Sequence, residues 1–157
     1  MSPDALETVA LAPFTLRMPV RFTHTDPAGY VFFPRYFEMF QAVMEEWFTQ
    51  ALGIKYADFV LGQKLGTPTA QTECTFMAPC RLGDPLEITL YLENIGRSSI
   101  RVCYLGRVDG ERRLEARSTL VVVSMDDGRP RPIDESLRAK LAAYQAVAAG
   151  PGEEPRA

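Results

Sequence analysis

Among the residues of this chain, Asp26 is the one best placed to do chemistry. It lies in the run THTDPAGYVFFP, from Thr23 to Pro34. Asp-Pro and Ala-Gly make that run a tight, irregular loop, and Pro34 suits the first turn of a helix. The carboxylate therefore stands near a helix N-terminus, where backbone N–H groups and the positive end of the helix dipole receive developing negative charge. A carboxylate in that setting suits a general base or a nucleophile for acyl transfer. The competing explanation is an aspartate that only shapes a turn or caps a helix. Asp26 is too far ahead of Pro34 to be its immediate cap, which loosens that explanation without removing it.

Elsewhere the catalytic options thin out. The sequence has no G-x-S-x-G elbow, Walker loop, G-x-G-x-x-G or H-E-x-x-H. Cys74, Cys80 and Cys103 form no C-x-x-C pair, and with His24 as the one histidine there is no Cys/His set at zinc spacing. No metal is expected. His24 reads first as a structural or pocket-lining residue, and Glu73 as a structural one on a strand. Tyr30, Phe32 and Phe33 suit either the grip of an aryl group or packing between subunits.

The elements that must hold Asp26 can be read from periodicity. Phe14 to Phe22 alternates imperfectly as a half-buried strand, with Pro19 placing it at an edge or bulge. From Pro34 to about Leu52, Tyr36, Phe40, Val43, Trp47 and Ala51 recur at helical intervals, widened by Phe37, Met44 and Phe48, with Gly53 as the stop. Ile54 to Gly66 reads as a short helix and connector. Four strands follow: Thr67 to Met77, Leu86 to Glu93, Ser98 to Val108, and Arg113 to Met125. In the second, Leu86, Ile88, Leu90 and Leu92 point one way and Glu87, Thr89, Tyr91 and Glu93 the other. Asp109-Gly110 is a strong hairpin signal. Asp134 to about Ala148 forms a terminal helix with Asp134 as its cap. The expected class is α+β, a five-stranded antiparallel sheet wrapped around a long central helix.

A chain of 157 residues at 46% hydrophobic and 24% charged has the make-up of an ordinary soluble domain. One domain over residues 1–148 and a disordered tail over 149–157 are expected. The net charge of -3 argues against general nucleic-acid binding. Positive charge nonetheless gathers in the last third, at Arg107, Arg112, Arg113, Arg117, Arg129 and Arg131, which suits a small polyanionic ligand. No run approaches the ~18 apolar residues of a membrane span, and the start lacks a basic segment ahead of an apolar one. With unpaired cysteines, this reads as a reduced, cytoplasmic protein.

The stretch TDPAGYVFFPRYF, Thr25 to Phe37, resembles the active-site loop and helix start of the 4-hydroxybenzoyl-CoA thioesterase family, D-x-x-G-x-V followed by aromatics and a tyrosine, matched at Asp26, Gly29, Val31 and Tyr36. The similarity continues through GTPTAQTECTFMAPCRLGDPLEI and reaches MDDGRPRPI, so it covers Arg17 to Ile133 in order. This resemblance implies a hot-dog fold that hydrolyses an aromatic or short-chain acyl-CoA. Asp26 takes the role of nucleophile or general base, the Phe33 backbone N–H receives the carbonyl oxygen, and Gly29 allows close approach to the thioester. It further implies that Arg97, Ser98, Arg129 and Arg131 hold the CoA phosphates and that Tyr30, Phe32 and Thr67 line the acyl pocket. The chain departs from the family at Gly96-Arg97-Ser98-Ser99, where the aromatic hydrolase can carry a basic cluster. No cofactor is implied, coenzyme A being part of the substrate. Subunits pair edge to edge into homo-oligomers, with a dimer of dimers expected. The rival functions are a hot-dog enoyl-CoA hydratase or dehydratase, for which His24 is the one available histidine and lies outside any D-x-N-x-x-H pattern, and a non-catalytic acyl-CoA-binding protein.

Overall fold

The computed structural model describes residues 12–152. The residues before it, and the end of the expected tail, 153–157, lie outside the described part. Strand β1 runs Phe14–Pro19, helix α1 Pro34–Gln50, β2 Leu65–Gly66, β3 Thr69–Phe76, β4 Pro85–Ile95, β5 Ser99–Val108, β6 Glu111–Val121, β7 Val123–Ser124 and helix α2 Glu135–Gln145. Five strands form one antiparallel sheet in the order β1-β4-β5-β6-β3, and β2 pairs with β7 in a separate two-stranded ladder. This is the α+β architecture expected, with β1 at an edge and Pro19 as its last residue.

Helix α1 lies across the concave face of the sheet because its apolar stripe has nowhere else to go. Tyr36, Met39, Phe40, Val43, Met44, Trp47 and Phe48 are buried, and Phe40 stacks on Tyr104 of β5 with ring centroids 4.8 Å apart. Each such side chain contributes roughly 1.5–3 kcal/mol on leaving water. The sheet supplies the opposing layer from Leu86, Ile88, Leu90 and Leu92 of β4, Val102 of β5 and Leu114 of β6, all buried. The helix flank left exposed is therefore short. It is confined to the first turns, where Phe33 and Phe37 face solvent.

On the convex face the expected polar alternation holds only in part. Thr89 and Tyr91 of β4 are buried there beside Cys103 and Leu105, roofed by long charged side chains. Arg117 pairs with Glu93 at 3.1 Å and Glu115 at 2.8 Å, and the Thr15 and Thr89 hydroxyls share a hydrogen bond of 2.7 Å.

Two expected boundaries move. The strand read from Arg113 to Met125 breaks at Val122, whose amide donates to Ser98 O (2.7 Å), and Val123–Ser124 leaves the sheet to pair with Leu65–Gly66. The strand read from Thr67 accordingly begins only at Thr69, after β2. The stretch 54–66 contains a π-helical turn at Asp58–Gly62. Asp109 and Gly110 both adopt positive φ, 51° and 81°, the geometry of a tight hairpin turn. Asp134 caps α2, its carboxylate accepting the Leu137 amide at 2.7 Å.

The C-terminal end of α2 docks where β1 runs out. The Tyr144 hydroxyl accepts the Phe14 amide at 2.8 Å and donates to the Leu90 carbonyl. The Gln145 amide group donates to Glu93 O at 3.0 Å, and Ala148 O accepts the Leu92 amide at 2.8 Å. This end of β4 is thus covered. At the opposite side of the sheet, β3 carries almost wholly exposed residues along its eight positions.

Candidate active site

The loop bearing Asp26 leaves β1 through a single 3-10 turn, Phe22–His24, and returns as a small β-bridged arch into α1. Thr25 bridges Val31, the Asp26 amide donates to Tyr30 O at 2.9 Å, and the Phe32 amide donates to His24 O at 2.9 Å. The arch is pinned to the β3–β4 connection by the Val31 amide on Cys80 O (2.9 Å) and the Leu82 amide on Gly29 O (3.0 Å). Gly29 sits at its tip with φ +82°, and a Cβ there would meet nothing within 4 Å. Within one subunit, left-handed backbone is thus the reason for a glycine.

The two oxygens of Asp26 are not equivalent. Oδ1 accepts the Ala28 amide at 2.9 Å and, more loosely, the Tyr30 amide at 3.4 Å. These are the bonds of a turn-former, so that part of the alternative explanation is correct. Oδ2 has no partner among the described residues, and the side chain is only partly buried. One carboxylate thus both shapes the loop and keeps an oxygen free.

The helix start is also incomplete. Phe33, the N-cap residue, has helical dihedrals and no side-chain cap, and Pro34 has no N–H to offer. The Arg35 and Tyr36 amides turn back on Phe32 O (2.8 Å) and Phe33 O (3.1 Å). The Phe33 amide has no acceptor among the described residues. A proline at the first helical position therefore leaves a single unpaired donor beside the helix, on the same arch as the free oxygen of Asp26.

Aromatic rings surround this arch. Phe33, 58% exposed, meets Phe32 and Phe76 edge-on at 5.8 and 6.5 Å, and Phe76 lies 5.5 Å from Tyr36. Phe76 was not singled out from sequence. Its signal, an aromatic ending a strand ahead of Met-Ala-Pro, acquires meaning only once β3 is placed beside α1. Arg81, also not anticipated, lies over the Tyr30 ring, 5.4 Å from its centroid. Tyr36 turns inward: burial and its hydrogen bond to Cys80 push its hydroxyl well above the ordinary range, so it stays protonated.

Burial likewise raises all three thiols, Cys74 to about 11 and Cys103 to about 12, with Cys80 raised in the same direction. None supplies a thiolate at neutral pH. His24 keeps Nδ1 engaged as the acceptor of the Arg21 amide at 2.9 Å.

The basic candidates gather elsewhere. The Ile133 amide donates to Arg97 O (2.8 Å), the Val122 amide to Ser98 O (2.7 Å) and the Arg131 amide to Val122 O (2.8 Å), so the β4–β5 turn and the segment after β7 form one unit. Arg97, Arg129 and Arg131 are exposed there and Ser98 is half-buried. Arg131 leans on Asp127 at 3.2 Å. The Arg129 amide, together with that guanidinium, holds the Asp127 carboxyl below its usual range. This unit lies at the Ile95 end of β4, and the Asp26 arch at the Pro85 end. An eleven-residue strand separates them, roughly 30 Å at ~3.3 Å per residue. Thr67 joins neither group. It is 5% exposed, and its hydroxyl lies 3.3 Å from Tyr56 Oη and 3.6 Å from Met44 Sδ, beside the middle of α1. A groove of about 520 Å³ lined by Glu45, Thr49, Lys55, Tyr56 and Leu61 includes neither Asp26 nor any other residue of its arch.

Comparison with known proteins places this architecture. The family model of the thioesterase-like superfamily matches residues 20–141. The 1,4-dihydroxy-2-naphthoyl-CoA hydrolase of Nostoc punctiforme (strain ATCC 29133 / PCC 73102) is 30% identical over 127 residues, covering 81% of this chain and 78% of that protein. Among solved structures, a gentisyl-coenzyme A thioesterase superposes with a TM-score of 0.74 at 23% identity, over 82% of this chain and 99% of its own. A thioesterase from Thermus thermophilus, complexed with coenzyme A and Zn, gives 0.72 at 25% identity, over 87% and 97%. The fold is thus the hot-dog fold expected, and the resemblance read from the three motifs holds at the level of the superfamily. A match over this much of the sequence makes the chain a member of the thioesterase-like superfamily and an enzyme of the hydrolase class.

Proposed function

We propose that the protein hydrolyses an acyl-CoA thioester, with an aromatic acyl group as the preferred class, at a site where Asp26 supplies the reactive carboxylate. The observation that carries this reading is the pairing, on one β-bridged arch, of a carboxylate with a free Oδ2 and a helix-start amide with no acceptor. The amide of Phe33 would stabilise the oxyanion as the thioester carbon becomes tetrahedral, a contribution that a single such donor commonly makes at ~3–4 kcal/mol. Asp26 Oδ2 would either attack that carbon, releasing CoA thiolate and leaving a mixed anhydride for water to open, or take a proton from the attacking water. The rings of Phe32, Phe33 and Phe76 offer faces and edges to an aryl group. The activity of the Nostoc relative on a naphthoyl-CoA supports the same class.

The reading also requires a second copy of the chain. Arch and basic unit lie at opposite ends of one sheet, too far apart for a single CoA thioester to engage both productively. The Phe33–Phe76 contact places the arch at the end of β3, while the Val121 amide on Pro68 O (3.0 Å) places the basic end at its start. Antiparallel pairing of β3 with its own copy reverses one sheet against the other. Arg97, Ser98, Arg129 and Arg131 of one subunit are thereby brought beside Asp26 of the next. Tyr30 and Phe32 remain acyl-pocket candidates from the arch, and Thr67 would act only by supporting the packing of α1. Reduced cysteines fit work in the cytoplasm.

The test is thiol release from benzoyl-CoA, 1,4-dihydroxy-2-naphthoyl-CoA and butyryl-CoA. Aryl thioesters are expected to show the higher kcat/KM, and Asp26→Asn to fold normally while losing about two orders of magnitude or more in kcat. Activity within a few-fold of wild type would remove Asp26 from the mechanism.

A further inference from the structure

The geometry points to His24 as the positioning residue of the catalytic arch, its unprotonated Nδ1 closing the turn from which Asp26 projects. This rests on the reading of Asp26 given above. Three polar groups of His24 are engaged at once. Its amide donates to Arg21 O at 2.9 Å, its Nδ1 accepts the Arg21 amide at 2.9 Å, and its carbonyl accepts the Phe32 amide at 2.9 Å. The first two bonds lock the 3-10 turn against Arg21. The third crosses the arch to the residue just before Phe33. One residue thus ties the segment carrying Asp26 to the segment carrying the unpaired amide, and it does so two positions from Asp26.

Nδ1 accepts a hydrogen bond only when it carries no proton, so the ring proton must sit on Nε2. The surroundings favour that neutral form. Partial burial lowers the imidazole pKa from its ordinary 6.5, with the Arg21 and Arg35 guanidiniums acting in the same direction and Glu38 opposing them. Glu38 is itself paired with Arg35 at 2.7 Å. The bond is therefore intact above pH 6.5 and is lost as pH falls through the lowered value. Protonation of Nδ1 then turns an acceptor into a second donor facing the Arg21 amide.

Because His24 is the one histidine of the chain, its ring can be observed without ambiguity. In 15N-edited spectra of the whole protein, the Nε2–H tautomer and a midpoint below 6.5 are expected. An Nδ1–H tautomer would overturn the proposal whether or not Asp26 is catalytic, whereas an active Asp26→Asn overturns the site and leaves the tautomer result standing. Substitution provides the second measurement. His24→Asn places an amide oxygen where Nδ1 stood, and is expected to stay within about 3-fold of wild-type kcat and to keep its activity at the acidic pH where wild type declines. His24→Gln and His24→Ala lose that acceptor and should fall about 10-fold or more in kcat with little change in KM, the signature of a misaligned rather than an unbound substrate. If folded His24→Asn is as impaired as His24→Ala, the ring acts through Nε2 and the positioning role is wrong.

Discussion

Gly29 has a reason within the subunit that is separate from the one its motif implied. Its motif implied room for a thioester, whereas the subunit itself supplies a left-handed φ of +82° in open space. Gly29→Ala should therefore cost ~1–2 kcal/mol through backbone strain alone, with no clash to relieve. In a thermal melt that is about 2–8 °C for a chain of this size. An unchanged melting temperature would mean the arch tolerates an ordinary residue at its tip. Asp26 was legible as a loop carboxylate, but the division between a turn-forming Oδ1 and a free Oδ2 was not, since it depends on which amides the arch aims inward. Thr67 lies furthest from its expectation. Within a subunit its hydroxyl is spent on Tyr56 and Met44, a placement decided by tertiary packing that no local pattern records.

At the level of elements, strands and helices emerged where side-chain period and punctuation agreed. The α1 stripe, the alternation of β4 and the Asp-Gly hairpin are cases where local chemistry and global fold favour the same structure. The break at Val122 is the contrary case. The run Leu120 to Val123 is uniformly apolar, with β-branched valine at its last three positions and no glycine or proline to mark the point where the chain leaves one sheet for another ladder. The Val122 amide still donates to Ser98 O in register with β5, and the departure is set by distant partners, Gly66 opposite Val123 and the Arg131 amide on Val122 O. Helix α2 had the clearest start signal, and its stability has a defined weak point. Asp134→Ala removes the acceptor of the Leu137 amide and should lower unfolding free energy by ~1 kcal/mol in denaturant titrations, with an unchanged slope. A loss below a few tenths would show that α2 is held by Tyr144 and its neighbours rather than by its cap.

For the whole molecule, sequence order concealed the distance between the arch and the arginines, because only the sheet reveals that they occupy opposite ends of the same strands. If each site combines Asp26 of one chain with Arg129 and Arg131 of another, two defective chains can repair one another. Arg129→Ala/Arg131→Ala is expected to raise KM for acyl-CoA with little loss of kcat, since phosphates remote from the carbonyl are held alike in ground and transition states. Mixed with Asp26→Asn under conditions that exchange subunits, it should yield hetero-dimers with one fully equipped site out of two. Activity at low substrate would then exceed the sum of the separate variants. Strict additivity, or an active particle of 17.5 kDa, would sink the shared site.

The docking of α2 on β4 has a consequence for how far such an assembly can extend. A sheet with two available borders propagates, each added copy presenting a fresh border to the next, and the result is a fibre. Here one border is retired. β1 is six residues long, flanked by Pro13 and ended by Pro19, with the α2 terminus filling the space beyond it. The other border, Thr69 to Phe76, contains neither proline nor glycine. Under the β3 pairing proposed above, the chain would have a valence of one for strand pairing and growth by that route would halt at two copies, with the terminal helix covering the end of β4 that β1 leaves open.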